Sequence, residues 1–117
     1  KEHNDDRGSF SELSRVFSKG QTSFSITKKG VIRGNHFHTR KIERFSVISG
    51  KAKIELREIL SDEKFEFIID GAKPCYIDIP VWHTHNIQNI GDEDLITVFW
   101  INEHSNEDTS DTYLENV

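Results

Sequence analysis

The sequence predicts an all-β protein, and three observations carry that reading. Alternation of apolar and polar residues with a period of two dominates from Gln21 to Ile101. Turn signals recur there at intervals of about 8 to 12 residues, and no stretch carries the 3.6-residue stripe of an amphipathic helix. Short strands at that spacing build a sandwich or a closed barrel.

Thr22, Phe24 and Ile26 alternate with Ser23, Ser25 and Thr27. Ala52, Ile54 and Leu56 alternate with Lys51, Lys53, Glu55 and Arg57, and Phe65, Phe67 and Ile69 follow a turn from Ser61 to Lys64. Cys75, Ile77 and Ile79 form the next strand, which Pro80 closes. His85, Ile87 and Asn89 share one face of another; after the turn Gly91-Asp92-Glu93-Asp94, Leu95 to Ile101 makes a last apolar strand. Beyond Asn102 come five acidic residues and no basic one, so 102–117 reads as an acidic surface segment with little regular structure.

With 117 residues, the chain can bury one core and has no room for a second domain of ordinary size. A single domain, 1–117, is expected. The charged fraction of 30% and the absence of any apolar run near the roughly 18 residues of a membrane helix exclude a membrane-embedded interior. Cys75 is the only cysteine; it forms no disulfide within the chain, reads as a small buried hydrophobe and suits a reducing, cytoplasmic setting. The chain opens on Lys1 and contains no methionine, which allows a fragment of a longer chain.

The formal net charge of −5 argues against a nucleic-acid surface, but the charge is uneven. Lys28, Lys29, Arg33, Arg40, Lys41 and Arg44 face only Glu43 within their window, a local balance of +5 against −10 elsewhere. These cations are solvated strand and turn residues, or they ring an opening that accepts an anion.

Four of the six histidines fall in two pairs, His36/His38 and His83/His85. On a strand the i,i+2 spacing sends both rings of a pair to one face. Glu43, with Gly34 before it and Gly50 after it as bends, can turn a carboxylate toward the same point. Three imidazoles and one carboxylate leave coordination positions open, as a catalytic metal site requires.

Gly30, His36-x-His38, Glu43, Gly50, Pro80, His85 and Asn89 together resemble the two motifs of the cupin family. The first motif is matched throughout; in the second, Trp82 stands where that family has glycine, and Gly71 lies further from Pro80 than usual. The resemblance implies a double-stranded β-helix, the cupin or jelly-roll barrel, with His36, His38, Glu43 and His85 as metal ligands. Zinc is the expected ion, with Fe²⁺, Mn²⁺ or Ni²⁺ as alternatives. A homodimer is also expected, with Asp5 to Phe10 as the segment that crosses between subunits.

A narrower resemblance rests on Asp6-Arg7-Gly8-Ser9-Phe10, on Arg33 to His38, and on Thr97 to Glu103 with Asp111-Thr112-Tyr113. These look like the C-terminal cupin domain of bifunctional capsular-polysaccharide enzymes. That implies epimerisation at C3 of a UDP-4-keto-6-deoxy-N-acetylhexosamine, with NADPH-dependent reduction in a fused or separate short-chain dehydrogenase. This chain has no GxGxxG and no room for such a fold. The Arg-Gly-x-His-x-His segment and Pro80-Val81-Trp82-His83 also resemble the dTDP-sugar 3,4-ketoisomerases, cupins that use histidines as acid and base.

Under the epimerase reading His83 is the candidate base and Tyr76 the candidate acid, with Arg33, Arg40 or Lys41 on the diphosphate. Arg7 is a phosphate contact or a surface ion pair. Tyr76 and Trp100 stack on a ligand ring or belong to the core. An iron-dependent oxygenase and a non-catalytic sugar-binding or dimerising module remain open.

Overall fold

The computed structural model describes residues 2–15, 20–73, 75–104 and 110–117. Lys1, together with Glu107 and Asp108 of the acidic stretch, lies outside the described residues. Eleven strands and no helix occur among those described. They are β1 (Glu2–Asp5), β2 (Gly8–Arg15), β3 (Gln21–Thr27), β4 (Ile32–Phe37), β5 (Glu43–Ser49) and β6 (Lys51–Glu58), then β7 (Lys64–Asp70), β8 (Cys75–Ile79), β9 (His83–Asn89), β10 (Leu95–Ile101) and β11 (Tyr113–Leu114).

Two antiparallel sheets face each other, a six-stranded one in the order β1-β2-β3-β10-β5-β8 and a five-stranded one in the order β11-β4-β9-β6-β7. This is the all-β barrel that the alternation predicts. Ala52, Ile54 and Leu56 of β6 and Ile87 of β9 meet Phe45, Val47, Ile79 and Leu95 of the opposite sheet in one buried cluster. Burying each large aliphatic side chain contributes about 1.5–3 kcal/mol, so this cluster holds the two sheets together. No helix among the described residues is long and apolar enough to cross a membrane.

Two elements differ from the simplest reading of the pattern. In β3 the buried face is the polar one, Gln21, Ser23, Ser25 and Thr27. Phe24 and Ile26 face outward beside Val98 and Ile96 of β10. The inner face of β3 walls a cavity, and there polar groups cost less than in a dry core.

The second difference is the C-terminal segment, which is structured where the sequence suggests little order. Residues 113–114 pair with β4, and Asp111 is buried. Its carboxylate accepts backbone N–H groups from Thr39, Arg40 and Lys41, at 3.0, 2.6 and 3.2 Å. Those donors satisfy a buried charge that composition alone assigns to solvent. Cys75 is also a correction: it is exposed, because β8 is the edge strand of its sheet. Asp5 to Phe10 form the tight end of the β1–β2 hairpin on the chain's own sheet.

Candidate metal centre

His36 enters the barrel through a bulge. Between Gly34 and His36 the β4–β9 register shifts, with Gly34 at φ 101° and Asn35 at φ 57°. The extra residue brings His36 opposite His85. A Cβ on Gly34 would stand 2.8 Å from the His85 carbonyl oxygen, so the close approach requires glycine.

His38 lies just beyond β4, with its carbonyl accepting the Trp82 N–H at 2.8 Å. Trp82 occupies the glycine position of the second motif and adopts glycine's backbone, at φ 60°. Its ring stacks on Phe37, which stacks in turn on Tyr113, at centroid distances of 5.8 and 5.3 Å.

One ring nitrogen of His38 and one of His85 are already committed. His38 Nδ1 donates to the Asp111 carbonyl at 2.8 Å, and His85 Nδ1 to the His83 carbonyl at 3.0 Å. Both Nε2 atoms therefore turn to Glu43, whose Oε1 lies 2.5 Å from that of His38 and 3.2 Å from that of His85. His85 Nε2 is buried with no hydrogen-bonding partner of good geometry. The ligand atoms of His36, His38, Glu43 and His85 all lie within 4.8 Å of one another. Backbone carbonyls that fix Nδ1–H and leave Nε2 converging on a carboxylate are what a divalent ion needs, and the donor set fits zinc.

The electrostatics agree. Burial, aided by the charge of His85, holds His36 neutral down to about 4. For His38 burial opposes the charge, but the hydrogen bond and charge of Glu43 win and raise its pKa. Burial also works against the Glu43 anion, yet the hydrogen bond from His38 and the close His85 ring hold its pKa far below the carboxylate range. Below that raised pKa a proton sits on His38 in the metal-free protein. Ion binding must displace it, so affinity is expected to rise about tenfold per pH unit below the His38 pKa, one proton released per ion. Calorimetry in buffers of different ionisation enthalpy checks this; no proton release near pH 6 would contradict it.

The cluster closes one end of a cavity of about 470 Å³, also lined by Arg7, Arg33, Lys41, Gln21, Ser23 and Thr112, with Phe10, Phe99, Ile87 and Leu114 as its apolar wall. Arg33 donates to Thr27 Oγ1 at 2.9 Å and pairs with no carboxylate among the described residues. Burial and then the charge of Arg7 lower its pKa. Arg7 donates from Nε and Nη2 to one Asp5 carboxylate oxygen, at 3.1 and 2.6 Å, and also lines the cavity.

Three expected site residues do not join this group. Arg40 is outside, paired with Glu103 at 2.9 Å. Tyr76 is exposed on the outer face of β8, with the Arg44 guanidinium 3.9 Å above its ring. His83 is absent from the lining, and its Nδ1 donates to the Val81 carbonyl at 2.9 Å. Of the basic window, only Arg33 and Lys41 reach the cavity; Lys29 and Arg44 pair with Asp92 and Asp78. The lining also includes Gln21 and Ser23, which no motif of the sequence marks, and Thr112, which lies within the Asp111-Thr112-Tyr113 stretch.

A two-sheet β-barrel with three histidines and a glutamate converging on its cavity defines a cupin. Within that class, the chain belongs to the polysaccharide biosynthesis C-terminal domain family, whose profile matches residues 3–113. It is 38% identical over 112 residues to the UDP-2-acetamido-2,6-beta-L-arabino-hexul-4-ose reductase of Pseudomonas aeruginosa, covering 95% of this chain and 30% of that one. The capsular polysaccharide assembling protein CapF of Staphylococcus aureus superimposes with a TM-score of 0.97 at 44% identity, covering all of this chain and 34% of that one. The spore coat polysaccharide biosynthesis protein SpsL of Bacillus subtilis is 27% identical over 93% of this chain and 79% of its own length. The chain thus spans about a third of the reductase and of CapF.

Proposed function

We propose that this chain is a metal-dependent isomerising module in the synthesis of polysaccharide sugars, acting at C3 of a UDP-4-keto-6-deoxy-N-acetylhexosamine. The observation that carries the reading is the four-ligand cluster at the end of a cavity whose charged lining is otherwise cationic. The substrate of one relative, the UDP-2-acetamido-2,6-beta-L-arabino-hexul-4-ose reductase, supports the substrate class, a nucleotide-linked 4-keto sugar. A bound divalent ion supplies Lewis acidity that draws charge from a carbonyl oxygen and so acidifies the neighbouring C–H bond.

The chain's own residues bind and polarise the substrate, while the C3 proton leaves to a water molecule admitted to the cavity and returns from water on the opposite face. Arg33 and Arg7 hold the diphosphate through charge-assisted hydrogen bonds. Lys41 Nζ places a positive charge beside the C4 oxygen as negative charge develops there. Phe10 and Phe99 form the apolar wall against the sugar. Reduction of the ketone belongs to a dehydrogenase outside these residues.

The test is to incubate the protein with the UDP-4-keto sugar in D₂O and follow C3 by NMR. Deuterium is expected at C3, and its incorporation stops when a chelator removes the metal. Bound metal and bound substrate without exchange would leave a sugar-binding module. Both the epimerase and the ketoisomerase readings lose the base expected at His83, which lies off the cavity.

A homodimer fits the outward face of the six-stranded sheet, where Trp100, Tyr76 and Ile48 are exposed around Phe24, Ile26 and Val98. Light scattering at micromolar concentration is expected to give twice the chain mass; a monomer would refute it.

A further inference from the structure

We infer that residues 110–117 form a clasp on the metal site, in which Asp111 is a positioning residue that sets metal affinity without being a ligand. The inference rests on the metal reading of the four-residue cluster. His38 stands outside the β4 ladder, so sheet hydrogen bonding does not orient its ring. The ring is held instead by the Asp111 carbonyl, 2.8 Å from Nδ1, the nitrogen opposite the one that faces the cluster.

Asp111 is itself locked at both ends. Its side chain is 0% exposed, and besides the three backbone N–H groups of residues 39–41 it accepts the Thr39 hydroxyl at 2.5 Å. Its backbone is left-handed, at φ 51°, and its carbonyl meets His38 while its carboxylate meets the 39–41 turn. One residue therefore shapes the turn after His38 and fixes the angle of the His38 ring.

The same segment reaches the strands that carry the other two histidines. Leu114 is the register partner of His36. The Glu115 carbonyl accepts the hydroxyl of Thr84, next to His85, and the Glu115 N–H donates to the carbonyl of Asn35 at 3.0 Å. Arg57 anchors the far end on the Glu115 carboxylate at 2.8 Å and the Asn116 carbonyl at 2.9 Å. A passive edge strand would contact backbone alone; this segment bonds to a ligand ring, and such outer contacts tune ligand geometry and basicity.

The experiment measures zinc affinity of the purified chain by competition with a chromogenic chelator, and the ligand-field spectrum of its Co²⁺ form. Asp111→Asn is expected to weaken zinc binding by about 10- to 100-fold and to alter the Co²⁺ bands. Ile69→Ala, in the β7 core, lowers the melting temperature but leaves affinity and spectrum unchanged, which separates positioning from general loosening. Thr39→Val removes one bond and keeps the carboxylate; it is expected to weaken binding about threefold, and it decides the matter if Asp111→Asn does not fold. Affinities of both variants within about twofold of wild type, or equal weakening by Ile69→Ala, would overturn the clasp and leave the metal reading standing. A wild-type chain that binds neither ion overturns both.

Discussion

Stripping the metal from this protein is expected to lower its melting temperature by about 15 °C, and His85→Ala is expected to abolish that difference. An ion that binds only the folded state at about a thousand times its dissociation constant adds about 4 kcal/mol, and a domain of this size shifts by about 4 °C per kcal/mol. The effect is large because the metal-free cluster is poorly satisfied: His85 Nε2 is buried without a good partner, and the Glu43 carboxylate is nearly enclosed, at 12% side-chain exposure. A proton on His38 answers part of that charge, while His36 stays neutral under burial. His85→Ala removes one ligand and one of the two histidines within reach of Glu43, so the variant also melts lower without metal. Scanning calorimetry with excess zinc and with excess chelator reads both effects. Coincident transitions in wild type would end the metal reading.

Much of this architecture was legible because period-2 alternation encodes which side chains share a face, whereas the candidate ligand set came with the cupin resemblance, since a bulge precedes His36 and His38 lies beyond β4. The same parity could have excluded Tyr76. Cys75, Ile77 and Ile79 pair with the inward residues Val47, Phe45 and Glu43, so Tyr76 between them must point outward. For His83 parity was not enough. It shares a face with His85, but its register partner is Glu58 at the end of β6, whereas the cavity extends from the cluster toward β2, β3 and β11. Spacing reports a face and is silent about how far a cavity runs along it.

The basic window was legible only in part, with Arg33 and Lys41 in the cavity lining, for a different reason. Charge density along the chain does not say which acid each cation meets after folding, and Glu103 and Asp78 take Arg40 and Arg44. Asp111 is the hardest case: its partners are about 70 residues away in sequence, so no local pattern marks it. The Asp111-Thr112-Tyr113 resemblance named the right stretch, but only the fold shows that it meets His38 and lines the cavity. The inverted polarity of β3 carries the same lesson, since Ser23 and Gln21 are buried against a cavity whose existence depends on both sheets.

The second large effect is expected at Lys41. Lys41→Met should slow deuterium incorporation at C3 of the keto sugar by about 10²- to 10³-fold, the usual loss when one fixed group that stabilises a developing oxyanion is removed. Lys41 is 6% exposed, lines the cavity and donates from Nζ to the Ser110 carbonyl at 2.6 Å, so its charge is held in place before substrate arrives. Its field already reaches the cluster, where it opposes protonation of both His36 and His38. Inside an enclosed site such a charge acts with less screening than in water, and no reorganisation is needed as the enolate forms. Met keeps the unbranched stem against the apolar wall, so circular dichroism and metal content of Lys41→Met should match wild type. His83→Ala is the informative contrast: with the ring off the cavity and Nδ1 held by Val81, its rate should stay within about threefold, because no interaction with the reacting atoms is lost. A slow His83→Ala beside a fast Lys41→Met would reverse the assignment and restore an imidazole as the group that moves the C3 proton.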